Sequence, residues 1–146
     1  MIVNLYTCST IIRPNQKKGI FLDMLEADTN GKTVQKPWYR IITDCSAQRA
    51  WLYAAVDGLY RVKPGNSVTI YTDSEYVLSG SEWVAKWEQA GWINAKGQQV
   101  RNQDLWKWYF DLTRERETLI LLCKDHPYHT WMGWEAQKIV SEQLKT

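Results

Sequence analysis

The chain has 146 residues, 45% of them hydrophobic and 23% charged, with a formal net charge of +2. That length and balance predict one domain over residues 1–146 with a substantial core, and they disfavour a largely disordered chain. A charge of +2 gives only weak support for a nucleic-acid partner, while nine tryptophans against two phenylalanines imply a thick core or a stacking surface.

Ile2 to Cys8 is a β-rich run and a predicted strand. Arg13 to Gly19 is a basic loop with turn residues. Gly19 to Ala27 and Trp38 to Thr43 are two further predicted strands. The Asn30-Gly31 pair between them is a hairpin signal, so the three runs form a predicted antiparallel meander. Over Ser46 to Val62 the apolar period changes to helical, with Ser46 as N-cap and Pro64-Gly65 as the stop. Ser67 to Thr72 is the clearest buried strand. Ser74 to Gly80, Glu82 to Ala90 and Asn102 to Thr113 are predicted helices. A polar, turn-rich stretch from Gly91 to Val100 precedes the last of these. Thr118 to Cys123 is a fifth strand, and Met132 to Leu144 a final helix. This order gives an α/β fold, a mixed five-stranded sheet with helices on both faces.

The N-terminus has no basic segment followed by an apolar one, and the longest apolar stretch near the C-terminus, Leu119 to Cys123, is far too short for a membrane span. Three widely spaced cysteines (Cys8, Cys45, Cys123) without a Cys-x-x-Cys pair disfavour a disulfide scaffold. Cytoplasmic localisation, with no membrane partner, is the expectation.

Tyr71-Thr72-Asp73-Ser74-Glu75-Tyr76-Val77 resembles the ribonuclease H family, in which a strand ends in Thr-Asp-Ser-x-Tyr-Val. Trp83, Trp87 and Trp92 repeat the spacing of that family's substrate handle. Val100 to Trp106 is similar to its Val-x-Asn-x-Asp-Leu-Trp segment, and Lys124-Asp125-His126 to its Lys-Gly-His. The resemblance implies a type 1 ribonuclease H-like fold: three antiparallel strands, then two parallel to the first. It also implies an activity, hydrolysis of the RNA strand of an RNA/DNA hybrid at four carboxylates that hold two divalent ions.

Carried over position by position, the resemblance retains only Asp73 as a catalytic and metal-binding residue. Cys8 stands in Tyr6-Thr7-Cys8-Ser9 where the family has the Asp of Phe-Thr-Asp-Gly-Ser. Trp51 stands in Arg49-Ala50-Trp51-Leu52 where it has the Glu of Arg-Met-Glu-Leu. Counting back from Ala136 puts Gly133 at the last-helix Asp; Glu135 is the alternative. A neutral thiol is a poor Mg²⁺ ligand, and indole does not coordinate it. Efficient catalysis is therefore not expected, and no cofactor is expected. Mg²⁺ or Mn²⁺ enters only if Asp44, Asp73 and Glu135 rebuild a site. A thiol site of Cys8, Cys45 and Cys123 with His126 is the minor metal alternative.

Three functions follow. The first is a nucleic-acid-binding module for RNA/DNA hybrid or duplex, contacted by Arg13, Lys17, Lys18, Ser46, Gln48, Lys96, Arg101 and His126. Between Glu82 and Arg116 six basic residues face five acidic ones, so the handle contributes little net charge. The second is a protein-interaction or tethering module with an apolar patch around Tyr128, Trp131 and Trp134. The third is an active hybrid endoribonuclease with the rebuilt site. Oligomeric state stays open.

Overall fold

The structure, a computed structural model, describes residues 1–14 and 16–144. Strand β1 (Ile2–Ser9) is followed by β2 (Lys18–Thr29) and β3 (Lys32–Thr43), the last two joined by the predicted turn. Asn30 and Gly31 both take positive φ, 53° and 77°, as a two-residue hairpin of this hand requires. Helix α1 (Ala47–Tyr60), β4 (Ser67–Thr72), α2 (Glu75–Gln89), α3 (Gln103–Thr113), β5 (Glu117–Leu122) and α4 (His129–Gln143) complete the chain. The sheet order is β3-β2-β1-β4-β5. Its first two pairings are antiparallel, and β4 is parallel to both β1 and β5.

Alternation along β1 divides the core. Val3 and Leu5 point to the face covered by α1, α2 and α3, where Leu52, Val56, Leu59, Ile70 and Trp106 pack. Tyr6 points the other way and meets Ile20, Leu22 and Met24 from β2 and Met132, Ala136 and Ile139 from α4. Helices therefore cover both faces, as expected.

The three largest differences from expectation have physical reasons. Strand β3 begins at Lys32 rather than Trp38. It is a sheet edge whose first half is polar and exposed, so no hydrophobic signal marks it, and an edge also tolerates Pro37. Helix α4 begins at His129 rather than Met132 because Tyr128, at its N-cap, offers no side-chain cap to read. The two helices expected around Gly80 are one, α2.

Gly80 is a point of close approach rather than a break. A Cβ there would collide with Cζ2 of Trp106, which is fully buried. The indole donates its Nε1–H to the Tyr76 hydroxyl at 3.0 Å and meets Trp87 and Tyr109 edge-on. Gly80→Ala gains about 1 kcal/mol of helix propensity, but an overpacked buried ring costs about 1–3 kcal/mol. Net destabilisation in urea denaturation is the expected outcome; an unchanged or higher midpoint would show that the Trp106 ring yields freely.

Candidate functional site: a cleft at the ends of the parallel strands

Strands β1, β4 and β5 run the same way, so their C-terminal ends share one edge of the sheet. Thr7 Oγ1 donates to the Tyr71 carbonyl at 2.7 Å, and the Cys123 N–H to the Thr72 carbonyl at 2.9 Å, fixing the three ends side by side. Helices α1 and α4 close the sides. The result is a cleft of about 170 Å³ whose walls include Cys8, Trp51, Asp73, Cys123, Lys124, His126, His129 and Gly133.

The four positions Cys8, Trp51, Asp73 and Gly133 thus converge from two strands and two helices. Asp73 is exposed and Trp51 half-buried. Burial, with Asp23 and Asp73 adding to it, pushes the Cys8 thiol up to about 11, so the sulfur is a neutral S–H at pH 7. A Cβ at Gly133 would meet no atom within 4 Å, so this position has room for a side chain.

Asp44, Asp73 and Glu135 are not brought together. Glu135 lines a different groove, between α4 and β3, with Trp38, Tyr39 and Trp131. Of the two candidates for the last position, Gly133 is the one at the cleft. Asp44 is exposed, holds a positive φ of 50°, and donates its N–H to the Lys17 carbonyl at 2.8 Å. Cys8 and Cys123 share the cleft, but Cys45 packs beside Ile11, Phe21 and Ala50. Among the described residues no group of three or more His, Cys, Asp or Glu is arranged to hold a metal ion. The residues present do not fit a pair of hard divalent ions, which need several oxygen ligands each.

His126 is set by a network that sequence reading missed. Tyr6 stacks on Tyr71 with ring centroids 4.5 Å apart, and the His126 ring lies 4.7 Å from Tyr6. The Tyr6 and Tyr128 hydroxyls both donate to the Glu26 carboxylate, and Asn4 Nδ2 donates to it at 3.1 Å. Burial and Glu26 push the Tyr6 hydroxyl well above the ordinary phenol range. Tyr128 is thereby held to the sheet, and its N–H donates to His126 Nδ1 at 3.1 Å. Burial first, then His129, lowers the His126 pKa below the usual imidazole value, against Asp125, which raises it.

A second, larger groove of about 790 Å³ runs beside α1 and α2. It collects Gln48, Lys96 and Arg101, three of the residues expected to contact nucleic acid, together with Tyr76, Trp83 and Lys86. Lys86 lies over the half-exposed Trp83 ring, 4.8 Å from its centroid. Helix α1 links the two sites, with Gln48 in the groove and Trp51 in the cleft. Ser46 is spent as the N-cap, accepting the Arg49 N–H at 3.1 Å. Arg49 in turn makes a bidentate pair with Asp104 of α3 (2.9 and 2.7 Å), which holds that carboxyl below its ordinary pKa. Arg13, Lys17 and Lys18 are exposed and make no ion pair among the described residues. Of the expected apolar patch, Trp131 and Trp134 are exposed, 41% and 79%, while Tyr128 is taken into the Glu26 network.

The RNase H family profile matches residues 3–143. The chain belongs to the RNase H family. A ribonuclease H of Francisella tularensis subsp. novicida is 36% identical over 94 residues, 64% of this chain and 62% of that protein. One from Novosphingobium aromaticivorans is 37% identical over 82 residues, 56% of this chain and 57% of that protein. The matched stretches thus span less than two thirds of these relatives. Among solved structures, LC9-RNase H1, a type 1 RNase H with the type 2 active-site motif, superposes with a TM-score of 0.75 at 18% identity, covering 97% of this chain and 73% of that one. The foamy viral protease-reverse transcriptase in complex with RNA/DNA hybrid gives 0.71 at 17%, covering 93% of this chain and 19% of that one. At these identities the structural likeness speaks for the RNase H fold alone. No helix among the described residues is long and apolar enough to cross a membrane.

Proposed function

We propose that this chain is a nucleic-acid-binding module of RNase H fold, for RNA/DNA hybrid or duplex, that has lost efficient hydrolysis. The observation that carries this reading is the content of the cleft. Where the family resemblance calls for four carboxylates, Asp73 stands with a neutral thiol, an indole and a glycine. Catalysis by electrostatic stabilisation loses about 10²–10³ in rate when one well-placed group is removed, and here three are replaced.

Binding is supported by the second groove. Its cations alternate with aromatic faces, a combination that meets backbone phosphates and packs on sugars. The unpaired cations Arg13, Lys17 and Lys18 add charge near the cleft, whose wall includes Ile12 of the same loop. The hybrid seen with the foamy viral protein is the first substrate to try.

Fluorescence anisotropy with hybrid, duplex DNA and duplex RNA over a salt series tests binding. Affinity should fall linearly on logarithmic axes. Neutralising the loop as Arg13→Gln/Lys17→Gln/Lys18→Gln should reduce the slope by roughly 2–3, at about 0.9 per lost phosphate contact. Absence of binding to every nucleic acid at low salt would end the proposal. Cleavage of hybrid with Mg²⁺ or Mn²⁺, abolished by Asp73→Ala, would end its second half. The exposed Trp131 and Trp134 favour the alternative, a protein-interaction module, and light scattering at several concentrations tests for self-association.

A further inference from the structure

We propose that the cleft is a metal-independent seat for a phosphate group of the nucleic-acid backbone, with Lys124, His126 and His129 as its donors. This rests on the nucleic-acid reading and specifies what that cleft does.

Four carboxylates in one cleft would repel a phosphodiester, and cations would be needed between them and it. Here the cleft walls carry one carboxylate, Asp73, and one ammonium, Lys124. Lys124 is exposed and makes no ion pair among the described residues. Asp125, which acts on His126 from the neighbouring position, is the other acid close by, so replacement of three acids weakens the repulsion that makes a bridging cation necessary.

The donors are also oriented. His126 Nδ1 already accepts the Tyr128 N–H, so a neutral His126 keeps its proton on Nε2 and is a hydrogen-bond donor there. The Tyr6, Tyr71 and Glu26 network fixes the loop that carries it. His129 stands 6.1 Å away, ring centroid to centroid, in the first turn of α4, where the helix dipole favours an anion. The thiol of Cys8 is neutral and adds no negative charge. About 170 Å³ is several times the ~30 Å³ share of one water molecule, which leaves room for a phosphate.

The chain supplies its own reporter: it has two histidines, and both line the cleft. Their Cε1–H NMR signals would be followed in EDTA while inorganic phosphate, and separately RNA/DNA hybrid, is added, with sodium chloride at matched ionic strength as control. Both signals should shift with phosphate and hybrid and not with chloride. Hybrid affinity by anisotropy should agree within about twofold between EDTA and Mg²⁺. Lys124→Gln, with an unchanged melting temperature, should weaken hybrid binding by about tenfold, the loss of one charge-assisted hydrogen bond. Its phosphate-induced shifts should vanish. Hybrid binding with unmoved histidine signals and a wild-type affinity for Lys124→Gln would overturn the seat and leave the nucleic-acid reading standing. Binding that needs Mg²⁺ would overturn it as well. Phosphate shifts in a protein that binds no nucleic acid would overturn both.

Discussion

Cys8→Asp, Trp51→Glu and Gly133→Asp, made together, are expected to give a protein that Mn²⁺ stabilises and that cleaves RNA/DNA hybrid at least about 100-fold faster than the wild-type chain. The backbone positions are already in place, because Cys8, Trp51, Asp73 and Gly133 line one cleft. Gly133 has open space for a side chain, and Asp at position 8 differs little in size from the thiol it replaces. Position 51 carries the cost. Trp51 is half-buried against the core on the α1 face, and removing its ring should cost about 2–4 kcal/mol. Four acids in one cleft add mutual repulsion. The triple variant should therefore melt well below the wild type in EDTA. A cation that binds only the folded form returns about 2.7 kcal/mol at 100 times its dissociation constant. The melting temperature of the triple variant should then rise with Mn²⁺, while that of the wild type stays flat. Differential scanning fluorimetry and a gel assay on labelled hybrid measure both. A triple variant that folds, ignores Mn²⁺ and leaves hybrid intact would show that these four positions do not form a carboxylate site.

Much of this arrangement was legible in the sequence because it rests on local signals. The Asn30-Gly31 turn, the Ser46 N-cap and the apolar run of β4 each carry their own chemistry. Asp73 was found through the residues that flank it. The last position, open between Gly133 and Glu135, depended on loop length, which does not say which helical residue faces the sheet. The continuity of α2 was hidden for a related reason: glycine weakens a helix locally, and only the distant Trp106 shows why Gly80 is there. The Glu26 network joins residues about a hundred positions apart in sequence, so no spacing could announce it. Asp23 was different. It interrupts the apolar run Ile20-Phe21-Leu22-Asp23-Met24-Leu25, and strand alternation puts it on the same face as Phe21 and Leu25. A carboxyl at an inward position of a strand is a signal that the sequence carries by itself.

That carboxyl supports the last prediction. Asp23 is fully buried, and neither of its oxygens has a hydrogen-bond partner among the described residues. Its neighbour Asp57, also buried, takes all the donors: Trp38 Nε1 at 2.7 Å, Arg40 Nε at 3.2 Å and Arg61 Nε at 3.3 Å. Burial first, and then Asp57, push the Asp23 pKa well above the ordinary carboxyl value, with Arg61 opposing. The folded protein therefore holds a neutral Asp23 where the unfolded chain, with a pKa near ~3.9, has lost that proton. The unfolded state binds fewer protons across this window, so stability falls as pH rises above about 4 and continues to fall up to the raised folded pKa. Asp23→Val removes both the ionisation and the unpaired oxygens. It should stabilise the protein by about 1–3 kcal/mol at neutral pH, or about 3–9 °C in melting temperature. The gain should narrow at pH 4, where the unfolded chain keeps about half of that proton, without vanishing, because the unpaired polar atoms still cost. Asp57→Asn should act in the opposite sense, by about 2–3 kcal/mol, since it weakens hydrogen bonds from one indole and two guanidinium groups. It also relieves Asp23 of a like charge, so the double variant should depart from the sum of the singles. Urea denaturation at pH 4 and pH 8 measures all four proteins. A destabilised Asp23→Val with no pH dependence would mean that Asp23 has a partner the folded protein needs.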